Sequence, residues 1–344
     1  MAISGPIRHV VIFFKENHAF DNYFGTFPGA NGATMAHSPN PPTHDPDHTH
    51  KGWLNRATGA VRQQFFESDI PAYFAYARQF TLCDNYFTDV AGPSTPNHLM
   101  VLTAGSPIID NPPGNPVYDL PSLPASLDAA GLTWGNYGGY AFGMIKALAG
   151  RPQLSSDQFA KDAAAGKLPN VSWVYAPHAF SEHPPDPPDK GTNPPVGNVT
   201  NGMQWTVSQV NAIIQGGLWA QTAIFITWDD WGGWYDHEPP TILAQPEGDY
   251  QFGFRVPLIV VSAYTPAAYI NNNRHDFGSI LRFIEHNFGI QEGALNFADA
   301  RAKTDLTGFF NLNRVPRPFQ NISAEKDATF FLNDKRPATD PDDD

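Results

Sequence analysis

The sequence predicts an α/β sandwich built on a mainly parallel sheet. Four short apolar runs, His9 to Phe14, Ser172 to Tyr175, Ala223 to Thr227 and Pro257 to Ser262, are rich in β-branched and aromatic residues and have the length of buried strands. Segments with helical periodicity lie between them, and this alternation implies parallel pairing with helices covering the sheet. Two of the runs also pass directly into acidic and amide side chains, at the strand ends where open α/β sheets keep their ligand sites.

The first strand delivers Glu16 and Asn17 to a loop. A helix over 69–80 opens at Asp69-Ile-Pro71, where proline suits the first turn. A second helix, over 155–165, is stopped by Gly166. After the Ser172 to Tyr175 strand comes a helix over 201–215. The Ala223 to Thr227 strand then ends in Trp228, Asp229 and Asp230, followed by Gly232 and Gly233. Beyond the last strand, a helix over 277–288 places Ile280, Leu281, Ile284 and Phe288 on one face, the pattern of a helix packed on a sheet.

Two long segments, 27–53 and 182–202, interrupt this plan. Loops of that length in a compact domain are commonly functional, and prolines beside histidines and acids favour ordered loops over a disordered linker. With 344 residues, 33 prolines, 29 glycines and only 16% charged residues, the chain reads as one loop-rich domain over 1–334. An acidic, frayed tail is expected over 335–344.

The formal charge of -13 argues against a nucleic-acid surface, which needs a basic footprint. A phosphate-containing small ligand is still compatible, because a metal held by carboxylates supplies local positive charge. The single cysteine, Cys83, excludes an internal disulfide framework and reads as a buried small hydrophobe. The N-terminus shows no signal-peptide pattern and no run reaches transmembrane length, so at most peripheral membrane contact is expected. Export after removal of a leader is an alternative, and location is left open.

Asp229 and Asp230 stand at the end of an apolar strand, where an ionised carboxylate is costly without a metal or an opposite charge. Glu16 and Asn17 follow the first strand in the same way. If the two strands are parallel, their ends share one sheet edge, and four oxygen-bearing side chains can converge on one hard cation. Val90-Ala-Gly-Pro-Ser94-Thr95 supplies a third element. A serine there would sit at a helix N-terminus suited to an anion, although helix capping explains Ser and Thr equally well.

Five blocks, Glu16-Asn17-His-Ala-Phe-Asp-Asn-Tyr-Phe-Gly25, Gly92-Pro-Ser-Thr-Pro-Asn-His98, Ser181-Glu-His-Pro-Pro185, Thr227-Trp-Asp-Asp-Trp-Gly-Gly-Trp-Tyr-Asp-His237 and Gly253-Phe-Arg-Val-Pro257, resemble the signature blocks of the phosphoesterase family. Leu281-Arg-Phe-Ile-Glu-His-Asn-Phe-Gly289 resembles its C-terminal block, so the likeness spans most of the chain in order. That family contains non-specific phospholipases C and acid phosphatases. The resemblance therefore implies an alkaline phosphatase-like three-layer sandwich with long active-site loops.

It also implies roles. Glu16, Asn17, Ser94, Asp229 and Asp230 match metal-site residues, and Ser94 matches the nucleophile, with Thr95 as the fallback. His48, in Asp45-Pro-Asp-His48, and His183 resemble histidines near the phosphate. Asn17, His98 and His237 are expected to contact substrate, with loop anchoring as the alternative for His237. The cofactor implied is a divalent cation, with calcium, magnesium, manganese and zinc all open. His98 stands where many members carry arginine, and Asp230 where many carry glutamate.

The activity implied is metal-dependent hydrolysis of the glycerol-phosphate ester of phospholipids through a phosphoserine. Phosphomonoester hydrolysis is the alternative, and a non-catalytic phosphate- or lipid-binding protein is a third reading. The partner implied is a phospholipid or small phosphate ester, with no nucleic acid and no protein partner. Trp228, Trp231, Trp234 and Tyr235 could line a lipid headgroup pocket or pack in the core. His18, His178 and His275 read as hydrogen-bonded structural residues.

Overall fold

The computed structural model describes residues 5–240, 252–295, 297–302 and 304–333, so the expected acidic tail lies outside the described residues. Its main sheet contains β1 (His9–Lys15), β2 (Thr81–Cys83), β3 (Trp134–Tyr137), β4 (Val171–Tyr175), β5 (Thr222–Trp228), β6 (Leu258–Ser262) and β7 (Tyr269–Asn271). Their order across the sheet is β7-β2-β6-β5-β1-β4-β3. The arrangement is the expected α/β sandwich with a mainly parallel sheet.

β1 and β5 are central because they are apolar throughout: every residue of β5 is buried, and all of β1 except His9. Strands covered on both faces carry continuous apolar runs rather than alternating ones. Adjacent residues of β1 point to opposite faces and identify the two covering layers. Phe13 packs on Phe159 of α3 (Ser156–Ala164) and Trp205 of α4 (Val199–Gln215), with ring centroids 5.5 and 6.1 Å away. Phe14 packs on His98 of α2 (Ser94–Thr103) and Phe277 of α5 (Phe277–Phe288), at 5.9 and 6.5 Å. A further helix, α1 (Pro71–Gln79), opens at Pro71 as the sequence indicates.

Two features differ from the reading of the sequence. The Leu258–Ser262 strand runs antiparallel to both of its neighbours. Its start, not its end, therefore lies at the edge where β1 and β5 finish, with Leu258 opposite Thr227 and Lys15 opposite Trp228. Strands β2, β3 and β7 were not apparent. They have three or four residues each, and β3 holds Gly135 and Asn136, residues depleted in strands. Neighbouring backbone, not local pattern, makes them strands.

Both long segments are ordered where described. Asn40 donates from its side chain to Thr200 Oγ1 at 2.8 Å and accepts from the Val199 N–H at 3.0 Å, fastening the first segment to the second. A short helix, His50–Leu54, is capped by Thr49 Oγ1, which accepts from the Gly52 N–H at 3.0 Å.

A buried ion pair joins the second segment to the end of β1. Lys15 Nζ lies 3.3 Å from Glu182 Oε1, with both side chains inaccessible to solvent. The Glu182 carboxylate also accepts from the hydroxyls of Tyr23 and Tyr73, at 2.7 and 2.6 Å, and from the Trp228 indole N–H at 3.1 Å. Glycine is required opposite it, since a Cβ at Gly202 would lie 2.2 Å from Glu182 Cγ. Burial lowers the Lys15 pKa against the pull of Glu182, and raises that of Glu182 against the pull of Lys15. Desolvation thus exceeds the pairing, and the hydrogen bonds hold the pair in place.

Lys15→Met leaves Glu182 buried without its cation and should cost about 3–5 kcal/mol in urea unfolding. The double variant Lys15→Met/Glu182→Gln should recover a large part of that loss. Equal losses in the two proteins would mean that the charges are not coupled.

Candidate active site

The level ends of β1 and β5 are tied by reciprocal hydrogen bonds. The Asn17 N–H donates to Asp229 Oδ1 at 2.9 Å, and the Asp229 N–H donates to Lys15 O at 3.0 Å. Asn17 takes a left-handed backbone conformation, φ +59°, which asparagine adopts more readily than most residues. Behind it, a Cβ at Gly232 would lie 1.9 Å from Asn17 O, so the glycine after the two acids is needed for this close approach.

Ser94 reaches the same point from the start of α2. Asn97 braces the preceding turn, donating from Nδ2 to Pro93 O at 3.0 Å and accepting from the Val90 N–H at 3.0 Å. Ser94 Oγ then lies 3.1 Å from Asn17 Oδ1, 3.1 Å from Asp230 Oδ2 and 3.5 Å from Glu16 Oε2. A hydroxyl has one proton and faces three acceptor oxygens here. Thr95 points elsewhere, with Oγ1 3.1 Å from the Tyr140 hydroxyl.

All five oxygen-bearing residues of this cluster are buried. Asp229 Oδ2 is buried with no aligned hydrogen bond, although His98 Nε2 is 3.3 Å away. Burial and the neighbouring Asp229 push the Glu16 carboxyl up to about 8. Asp229 is lowered to about 2: burial opposes its ionisation, but His98, Glu16 and Ser94 outweigh that. Converging oxygens, a buried oxygen without a donor and a carboxyl that resists ionisation fit a divalent cation held by Glu16, Asn17, Ser94, Asp229 and Asp230.

His48 and His183 join the cluster from the two long segments. His48 donates from Nδ1 to Pro46 O at 2.9 Å, which leaves Nε2 to accept from Asn17 Nδ2 at 3.2 Å. His183 donates from Nδ1 to Pro184 O at 2.7 Å, and the two imidazole centroids are 6.1 Å apart. Asn17 therefore links Ser94 to His48. Beside His48 and Pro93 opens a cavity of about 600 Å³, lined also by Asp45, Asp47, Asp110 and Asp186.

The phosphoesterase family profile matches residues 7–44 and 43–291. This chain belongs to the phosphoesterase family. It is 27% identical to a non-hemolytic phospholipase C of Pseudomonas aeruginosa, over 97% of this chain and 62% of the relative. Phospholipase C B of Mycobacterium tuberculosis is 25% identical, with 91% and 79% covered, and non-specific phospholipase C1 of Arabidopsis thaliana is 24% identical, with 92% and 73% covered. The chain thus spans less than two thirds of the Pseudomonas relative's length. Among solved structures, a sulfatase from Pseudoalteromonas sp. shares the fold, with a TM-score of 0.51 at 13% identity over 96% of this chain and 73% of that one.

Two of the expected substrate contacts, His98 and His237, have protein groups beside them. His98 is fully buried against Glu16 and Asp229, with Nε2 3.7 Å from Glu16 Oε1 and 3.3 Å from Asp229 Oδ2. His237 sits apart from Ser94 in its contacts. Its Nδ1 lies 2.6 Å from Asp21 Oδ2, and Nε2 lies 3.1 Å from Asn31 Oδ1. Arg255 binds the same Asp21 and also Asp236, at 3.3 and 2.9 Å, so this group knits the family's Gly253–Pro257 block to the loop after β5. His237 has the contacts of a loop anchor.

Three of the four flanking aromatics are packed. Trp228, Trp231 and Trp234 are at most 1% exposed, and the Trp231 indole N–H donates to His48 O at 3.1 Å, whereas Tyr235 is half-buried with the Arg62 guanidinium over its ring. His18, His178 and His275 each face protein partners: Asn22 and Glu182 O for His18, Asp189 for His178, Thr304 and Asn271 for His275. The reading of the sequence passed over Asp45, Asp110 and Asp186. Asp45 shares a motif with His48, a usable signal, whereas Asp110 and Asp186 join the cavity only through loop folding.

Burial, opposed by Arg255, pushes Asp236 up from 3.8 to about 6. As pH rises from about 4 to about 6, the unfolded chain loses this proton before the native one does. Stability should therefore fall across that window and level off above it. Urea unfolding at several pH values should show a smaller fall for Asp236→Asn than for the wild-type protein.

Proposed function

We propose that this chain is a divalent-cation-dependent phosphoric ester hydrolase of the phospholipase C type, acting through a phosphoserine on Ser94. The observation that carries this reading is the placement of Ser94 Oγ within 3.5 Å of Glu16, Asn17 and Asp230 at a helix start. The names of its relatives support the class of reaction. A bound divalent cation would supply the positive charge that lowers a hydroxyl's pKa, as it lowers that of bound water to roughly 7.

Ser94 Oγ attacks phosphorus in line, the P–O bond to the glycerol oxygen breaks, and the phosphoryl group passes to serine. His48 and His183 handle protons. Each commits Nδ1–H to a backbone carbonyl, so proton exchange falls to Nε2. His183, as an imidazolium, protonates the departing alcohol, and His48, whose Nε2 accepts from the Asn17 amide, is the neutral base that takes a proton from the water that releases the phosphoryl group. Asn17 holds His48 and the nucleophile in one frame.

Phosphomonoester hydrolysis is the second reading; it would use the same Ser94 and the same cation site, and differs only in what lies beyond phosphorus, where the cavity is lined by Asp45, Pro46, Asp47, His48 and Pro93. No described helix is long and apolar enough to cross a membrane. Hydrolysis of 4-nitrophenyl phosphorylcholine, of 4-nitrophenyl phosphate and of a phospholipid, with and without chelator, separates the two readings.

Ser94→Ala should lower the rate by at least about a thousandfold on every ester. Full activity in that variant would remove Ser94 as the nucleophile, and full activity after exhaustive chelation would remove the cation.

A further inference from the structure

We propose that His98 is a nitrogen ligand of the cation site, which gives the site a preference for a borderline transition-metal cation, zinc foremost, over magnesium or calcium. The proposal rests on the cation-site reading above and adds a residue and a metal class to it. His98 belongs to α2, one turn beyond Ser94, and is wholly buried. Neither of its ring nitrogens has a hydrogen-bond partner, an expensive condition for a buried polar group unless something else fills the place.

The ring is aimed. Phe14, Tyr140 and Tyr175 surround it with centroids 5.9, 5.3 and 5.3 Å away, fixing its plane by edge contacts. Nε2 is thereby directed at the two carboxylates, 3.3 Å from Asp229 Oδ2 and 3.7 Å from Glu16 Oε1. Asp229 Oδ2 is itself without a hydrogen-bond partner, and its sister oxygen is already committed to the Asn17 N–H. Two buried atoms with lone pairs thus face each other with no hydrogen bond between them.

The spacing is that of ligands around one small cation. With metal–ligand bonds of about 2.0–2.1 Å, two ligands of one cation are about 3 Å apart at right angles and about 4 Å apart when opposite. The distances from His98 to Asp229 and to Glu16, 3.3 and 3.7 Å, fall between these limits. An oxygen-only shell suits magnesium or calcium, whereas an imidazole nitrogen suits zinc and its transition-metal neighbours.

The rival account makes His98 an imidazolium that balances Glu16 and Asp229 without ligating anything. Metal binding distinguishes the two. Wild-type protein and His98→Gln, both stripped by chelation, are dialysed against zinc or magnesium and the bound metal is measured. Zinc K-edge X-ray absorption of His48→Gln/His183→Gln protein, in which the neighbouring Asp45–His48–His183 group can supply no imidazole, reports imidazole from His98 even if the His98 variant does not fold. We expect an imidazole scattering signature, zinc affinity lower by about tenfold or more in His98→Gln, and magnesium affinity changed less than about threefold.

An all-oxygen shell in the His48→Gln/His183→Gln spectrum, or equal zinc affinity in wild-type protein and His98→Gln, would overturn the assignment of His98 while leaving the cation site intact. Failure of the wild-type protein to bind any divalent cation would overturn the cation-site reading itself, and this assignment with it.

Discussion

The tie between Asn17 and Asp229 is the constraint on which the rest of the site depends. It locks the ends of two adjacent parallel strands at one level and turns Asn17 into a left-handed conformation, so that the Asn17 amide faces Ser94 on one side and His48 on the other. The tie is possible only because Gly232 has no Cβ to collide with Asn17 O. A single hydrogen bond therefore couples Ser94, the acids and a histidine from a distant loop.

The electrostatics follow from burial. Acids taken out of water at a strand end must be compensated, and the molecule does this in three ways. Glu182 receives Lys15, two tyrosines and an indole. Asp21 and Asp236 receive Arg255. Glu16 and Asp229 have the His98 imidazole beside them, 3.7 and 3.3 Å away, and share their site with the oxygens of Ser94, Asn17 and Asp230. The convergence of oxygens on one point in the third group is what the proposed cation site rests on.

The loops are positioned by the same buried groups. Glu182 anchors the residue next to it, His183, while Trp231 holds the His48 carbonyl from the segment that carries Asp229 and Asp230. Trp228, Trp231 and Trp234, for which a headgroup pocket and core packing were both open from sequence, are buried and brace these loops.

Much of this was legible in the sequence. Continuous apolar runs gave β1, β4 and β5 because strands covered on both faces need no alternation, and acids placed directly after two of those runs located the site edge. The motif around Ser94 pointed to a helix start. What only the tertiary structure decided depends on non-local register: the reversed direction of the Leu258–Ser262 strand, the three short strands, and the separation of His98 from His237. Both histidines follow acidic or polar motifs, and nothing local distinguishes them. One is driven inward by three aromatic rings and two carboxylates, and the other is drawn into the Asp21–Arg255 network, because sequence records which groups a chain carries and packing alone decides which of them meet.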